Sequence, residues 1–236
     1  MKPEKIILFD QVCPLCCWYT AGFERLHWLQ PGGRQPFPEG LRQWAAQLDP
    51  ERARHEIPLI DTAGGPTLYG IDALLHLVGQ RHPRLAALAG KPIFRRPLGL
   101  LYQFISYNRR VIAGSTGCTL PAEGAPAFHP FWRAVWFAVA ATVVIAGIVA
   151  RAQFPAPVLG AAPVLAAAAD FWLLAALVFG AAFVRTSDAW GRWAGHAVLG
   201  TLLWTPALLL PPGLPTAVAT TLIPPLLTLD ARRRCG

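Results

Sequence analysis

Charge is scarce in this chain and unevenly spread. Only 14% of the 236 residues are charged, against 54% hydrophobic. Of the 13 acidic residues, just Asp170, Asp188 and Asp230 lie beyond residue 133. That shortage argues against one evenly charged globular unit and for a soluble domain followed by a membrane region. Cysteine is sparse too: Cys13, Cys16, Cys17, Cys118 and Cys235 make an odd, locally clustered set. A secreted disulfide framework does not fit it. Met1-Lys2-Pro3-Glu4-Lys5 leads into only four apolar residues, too few for a secretory leader. The N-terminal part is therefore expected to stay on the side where it is made. The net charge is +8 without a nucleic-acid motif. Its arginines flank apolar segments (Arg95, Arg96, Arg109, Arg110, Arg133 and Arg232 to Arg234), which suits an anionic leaflet better than nucleic acid.

What the chain does carry is concentrated near its start. Lys5-Ile6-Ile7-Leu8-Phe9 reads as a short buried strand, and Asp10 ends it. Cys13 and Cys16 follow, and residues 14–29 read as a helix with Pro14 at its first position. Trp18, Phe23, Leu26 and Leu29 give that helix an apolar stripe, and Gln30-Pro31-Gly32-Gly33 should stop it. Residues i and i+3 share a helix face, so the two thiols can meet. Unpaired N–H groups and the helix dipole favour a thiolate at Cys13, the expected nucleophile, with Cys16 resolving. Asp10 would either exchange a proton with the resolving thiol or cap the strand-to-helix turn.

Further along, residues 34–56 read as polar and proline-interrupted, with a short helix near 40–48. Residues 57–61 and 67–69 read as an antiparallel hairpin around Thr62 to Pro66. Helices are expected over 71–80 and 97–113, the second mixed apolar and basic like a membrane-surface element. Four apolar stretches follow, near 131–150, 164–184, 194–211 and 213–229; the first two easily reach the ~17–25 residues of a membrane span, and the last two, broken at Pro211-Pro212-Gly213, read as two spans or as one long span plus an interfacial piece. Counting arginines in the loops places both termini in the cytoplasm. Asp170 and His196 are the ionisable groups inside these stretches, and both sit near span ends.

Asp10-x-x-Cys13-x-x-Cys16 after an apolar strand resembles the signature of the DCC family of thioredoxin-like thiol–disulfide oxidoreductases. Tyr69-Gly70-Ile71-Asp72-Ala73-Leu74-Leu75 is similar to that family's helix start. Tyr102 through Asn108-Arg109-Arg110, then Gly114 and Cys118, is similar to its closing segment. The likeness covers about residues 5–121. It implies a thioredoxin-like fold and a dithiol site at Cys13 and Cys16. In such folds a cis-proline before a strand faces the dithiol helix and meets substrate, and Ile57-Pro58 has that look. The alternative is an ordinary trans proline, since cis bonds are only ~5–6% of X–Pro bonds. Departures are Gln11 in place of the family's glycine, Val12 in place of a small or polar residue, and the additional Cys17.

Other chemistries fit less well. A zinc site wants four ligands, and only one cysteine pair is present, so Cys17, His27, His55 or Cys118 would have to complete it. Haem attachment needs histidine where Cys17 stands. Val12 occupies the place of the second aspartate of aspartate-nucleophile phosphatases, and Gly22 and Phe23 occupy that of the cysteine phosphatases' arginine. The expectation is an α/β thioredoxin-like N-terminal domain over 1–125, followed by an all-α transmembrane helical region of about four helices over 126–236. Its function would be thiol–disulfide exchange at Cys13 and Cys16 with Asp10 assisting and Pro58 contacting substrate. No metal or other cofactor is called for. Its partners would be a disulfide substrate or redox protein and the lipid bilayer, at the cytoplasmic face of a bacterial inner membrane. The competing reading is a membrane scaffold or small transporter with a redox-sensing or metal-binding cysteine domain.

Overall fold

The computed structural model describes residues 3–114, 124–153, 192, 194–202, 226 and 229. The chain divides into two compact units, one of residues 1–113 with 118–129, the other of 114–117 with 130–236.

In the first unit, β1 (Lys5–Phe9) leads into α1 (Pro14–Arg25). Then come β2 (Arg34–Pro36), α2 (Phe37–Gln43), a 3-10 turn at Ala45–Gln47 and α3 (Pro50–His55). The hairpin strands β3 (Pro58–Asp61) and β4 (Leu68–Tyr69) precede α4 (Gly70–Arg81), α5 (Pro83–Ala89) and α6 (Pro92–Ala113). The four strands lie in the order β2-β1-β3-β4. β1 runs parallel to β2, with Ile7 opposite Arg34, and antiparallel to β3, with Ile7 opposite Leu59.

Alternation along the two central strands builds two cores. Ile6, Leu8 and Ile60 join Phe37, Leu48, Ala53 and Tyr69 in one cluster. Ile7 and Leu59 join Leu29, Ile57, Ala73 and Leu77 in another. Successive strand residues point to opposite faces, so a strand buried on both must be apolar throughout. That is why Ile6-Ile7-Leu8 reads as a continuous run. Gly40 packs directly against the Leu8 side chain, where any Cβ would collide.

Several boundaries differ from the sequence reading. α1 ends at Arg25 rather than near 29, because His27 takes a left-handed φ of 54° and the N–H groups of Trp28 and Leu29 both turn back to the Phe23 carbonyl. β2 and α5 were not expected. α6 begins five residues early and carries Pro97 within it.

The expected fold class is corrected. The described residues are mostly helical, 68%, around a small mixed sheet whose strands are only two to five residues long, and they do not establish a thioredoxin fold. The helix expected over 97–113 is present, but residues 83–89 and 92–96, which carried no expectation, are helical as well. In the second unit, α7 (Pro130–Gln153) holds the one candidate membrane span among the described residues, Pro130–Gly147. An all-α transmembrane region is therefore not what the structure displays. The stretch expected at 164–184 lies outside the described residues, as do half of 194–211 and most of 213–229.

Candidate functional site

The end of β1 and the start of α1 meet at Asp10. Its Oδ1 accepts the Val12 N–H at 3.1 Å, and its carbonyl accepts the Cys13 N–H at 3.1 Å. This is an Asx-turn, in which a short carboxylate side chain folds the backbone. It delivers Cys13 to the N-cap of α1, with Pro14 next. The first turn holds no acidic residue, so nothing on the helix itself opposes its positive end.

Asp10 is also held by α6. Arg110 grips it with two bonds, Nε to Oδ2 at 2.7 Å and Nη2 to Oδ1 at 2.9 Å. Such forked pairs fix geometry as well as charge. Arg109 lies beside them, its Nε 3.7 Å from Asp10 Oδ2. Its other nitrogens donate to carbonyls: Nη1 to Ser106 at 3.3 Å, Nη2 to Arg54 at 3.1 Å and to Gly124 at 2.6 Å. The buried Nε has no hydrogen-bond partner. Among the described residues, the carboxylate's bonds go to Val12 and the arginine, not to a sulfur. Asp10 thus folds the turn into α1 and anchors α6.

Cys13 and Cys16 are unbridged, and both are buried, at 0% and 3% exposure. Cys13, the expected nucleophile, has no exposed surface. The two thiols interact, and the pair divides unequally. Cys16 is lowered to about 7, first by the hydrogen bond from Cys13 and then by the Arg109 cation, against the effect of burial. Cys13 is pushed up, because its proton is held in the bond to Cys16 and because it is buried. The thiolate-prone sulfur is thus Cys16, one turn deeper than the helix-dipole argument placed it. Tyr19 adds a smaller lowering influence on Cys16, and burial raises the tyrosine itself well above its ordinary value.

Cys16 also faces space. A cavity of about 310 Å³ reaches it, walled by apolar side chains including Leu15, Phe23, Phe37 and Tyr102, with Arg109 at the polar end. Cys13 is not part of that wall. The Tyr102 hydroxyl accepts the Ile57 N–H at 2.8 Å and so ties α6 to the chain just before β3. Burial raises Tyr102 to about 12.

Cys17 is half-buried and donates to the Gln11 carbonyl at 3.4 Å. Burial, then Cys16, pushes its thiol up, which makes it a poor nucleophile. Pro58 is fully buried in β3 opposite Tyr69 and does not line the cavity. All described peptide bonds are trans, so it is not the cis residue considered above. Among the described residues no three His, Cys, Asp or Glu side chains gather as a metal site.

Arg109 and Arg110, expected among the leaflet-facing cations, are instead turned into the site against Asp10 and backbone carbonyls, and Tyr19 carried no expectation. Tyr102, Arg109 and Arg110 stood within the segment similar to the DCC family's ending, which was the available signal. The Asp10–Arg110 pairing spans 100 residues of sequence, and no local pattern announces it. No family model matches the chain, and no curated protein or solved structure is significantly similar to it.

Proposed function

We propose that the protein is a membrane-anchored thiol–disulfide oxidoreductase using Cys16 and Cys13. The observation that carries this reading is the buried, unbridged thiol pair whose member Cys16 lines the cavity together with Arg109. The neighbouring cation favours the thiolate of Cys16, and thiolate is the attacking species. Cys16 attacks one sulfur of a substrate disulfide. The substrate S–S bond breaks, a mixed disulfide forms on Cys16, and the departing thiolate takes up the proton that Cys13 gives up. Cys13 then attacks Cys16 Sγ, closing the Cys13–Cys16 disulfide and expelling the second thiolate. Two electrons pass from the dithiol to the substrate. Asp10 and Arg110 are positioning residues in this scheme, since they hold Arg109 and the start of α1 in register.

The resemblance of residues 5–121 to the DCC family supports the same chemistry. The apolar helix α7 supports attachment to a bilayer, and the arginine distribution supports a first unit and C-terminus on the cytoplasmic side of a bacterial inner membrane. There the reducing thiol pool favours substrate reduction.

The test uses the reduced full chain in detergent with a low-molecular-mass disulfide, followed by alkylation and mass mapping. The expected product is an intramolecular Cys13–Cys16 disulfide with two equivalents of substrate thiol released. Cys13→Ser should stop at a mixed disulfide on Cys16. If folded protein yields neither product, the oxidoreductase reading fails and a sensing or scaffold role takes its place.

A further inference from the structure

We propose that α5 and the first half of α6 form a docking surface for a bilayer leaflet rich in anionic lipid. The inference is independent of the dithiol chemistry. α5 and α6 form a helical pair at the edge of the first unit, and α6 packs against α1 and α4 along one side. The other side is apolar and uncovered. Ile93 is 74% exposed, Leu100 58% and Leu101 52%, with Phe94 beside them. At 100° per residue these four fall on one face of α6. Leu85 and Leu88 of α5 are exposed as well. Contiguous apolar patches of this kind are rare on soluble monomers and mark contact surfaces.

The charge pattern says what the contact is. No acidic residue occurs between Asp72 and Glu123, while Arg81, Arg84, Lys91, Arg95 and Arg96 all fall in the exposed part of that stretch. Arg95 pairs with Asp72 at 2.7 Å. Arg84, Lys91 and Arg96 make no ion pair among the described residues. A partner that takes both an apolar helix face and a surrounding set of unpaired cations is a negatively charged membrane surface: the leucines and Phe94 enter the headgroup boundary while the cations meet phosphates. A second copy of this chain would bring cations against cations. The inference rests on the bilayer attachment proposed above for the candidate span of α7.

The full chain is reconstituted in nanodiscs of phosphatidylcholine with or without phosphatidylglycerol, the latter carrying a photoreactive acyl chain in trace amount. Cross-links are mapped by mass spectrometry, with α7 as the internal reference. The expected result is labelling over residues 85–105 that rises with phosphatidylglycerol and falls at high salt. The triple variant Arg84→Glu, Lys91→Glu and Arg96→Glu should weaken docking on the order of a hundredfold, at roughly fivefold per cation. Because those side chains are exposed, it should keep its Cys16 alkylation rate, which shows that it is folded. Ile93→Ser with Leu100→Ser should reduce labelling at every lipid composition. Labelling of α7 without any of residues 85–105 overturns the proposal. So does labelling indifferent to phosphatidylglycerol, failure to label α7 at all, or a light-scattering dimer whose contacts map to 85–105.

Discussion

The two halves of α6 make opposite use of the same residue types. Toward its C-terminal end, Tyr102, Ser106, Arg109 and Arg110 turn inward. There a carboxylate and three carbonyls receive the guanidinium groups, and an aromatic hydroxyl accepts a backbone N–H from another segment. Toward its N-terminal end, Ile93, Phe94, Leu100 and Leu101 face outward with Arg96 among them. The difference is one of partners, not of composition. A buried cation is tolerable when oxygen atoms meet its donors, and it is expensive otherwise. Asp10 supplies the charge that lets one end of the helix go in. The other end has only Asp72 nearby, which serves Arg95 alone. Arginine in an apolar helix therefore marks a site when an acid is in reach and a surface when none is.

The largest effect that would break this contrast is removal of Asp10. Asp10→Ala leaves Arg110 and Arg109 in their pocket without the carboxylate and deletes the Asx-turn. Loss of one member of a buried ion pair costs about 3 kcal/mol or more. Denaturant unfolding of the first unit should register that loss. Arg110→Ala in the same background should cost much less than in the parent, because its partner has already gone.

Next in size is Arg109→Met. Arg109 is the cation beside Cys16 and stands second to the Cys13 hydrogen bond among the influences that lower it. Without it the thiolate is less favoured, and the Cys16 midpoint should move up from about 7 by on the order of one unit, or about 1.4 kcal/mol. A depressed thiol reacts above its own midpoint and stops reacting as pH falls through it. The iodoacetamide rate of the parent should therefore rise through pH about 7, and that of the variant only at higher pH. At pH 7 this is a several-fold slower alkylation. Should the variant keep the parent's profile, Arg109 is structural only.

Much of the site was legible in the sequence. The apolar run ending in Asp10, the proline after Cys13 and the three-residue spacing place two thiols on the first turn of a helix, and the structure has them there. Local rules govern such junctions, so local sequence reports them. Which thiol is the more acidic was not legible. The helix-start argument favours Cys13, but Cys16 is lowered first by Cys13 itself and then by Arg109, 93 positions beyond Cys16 in the chain. The hairpin at 58–69 was legible from its flanking turn residues. β2 was not, since Arg34-Gln35-Pro36 has no strand pattern and is extended because it lies against the edge of β1. The fold class was misjudged for a related reason. Residues 83–89 hold the short, amphipathic pattern of a helix too brief to announce itself, and its existence depends on packing against α4 and α6.

A smaller effect sharpens the comparison within α6 itself. Tyr102→Phe removes one oxygen and leaves the ring in the cavity wall. The Ile57 N–H then has no acceptor where it lies, and a buried donor left unpaired costs about 1–2 kcal/mol. Ile93→Ser, nine residues earlier, removes a larger apolar group from a position that is 74% exposed. A substitution at such a position away from special contacts stays within about 0.5 kcal/mol. The polar change should therefore destabilise more than the apolar one, an inversion of the ordinary ranking of core leucines and isoleucines over hydroxyls. Thermal unfolding of both variants in detergent decides it. A loss at Ile93 equal to that at Tyr102 would mean that the outer face of α6 is already covered within the folded chain. The division of the helix into an inner and an outer half would then be wrong.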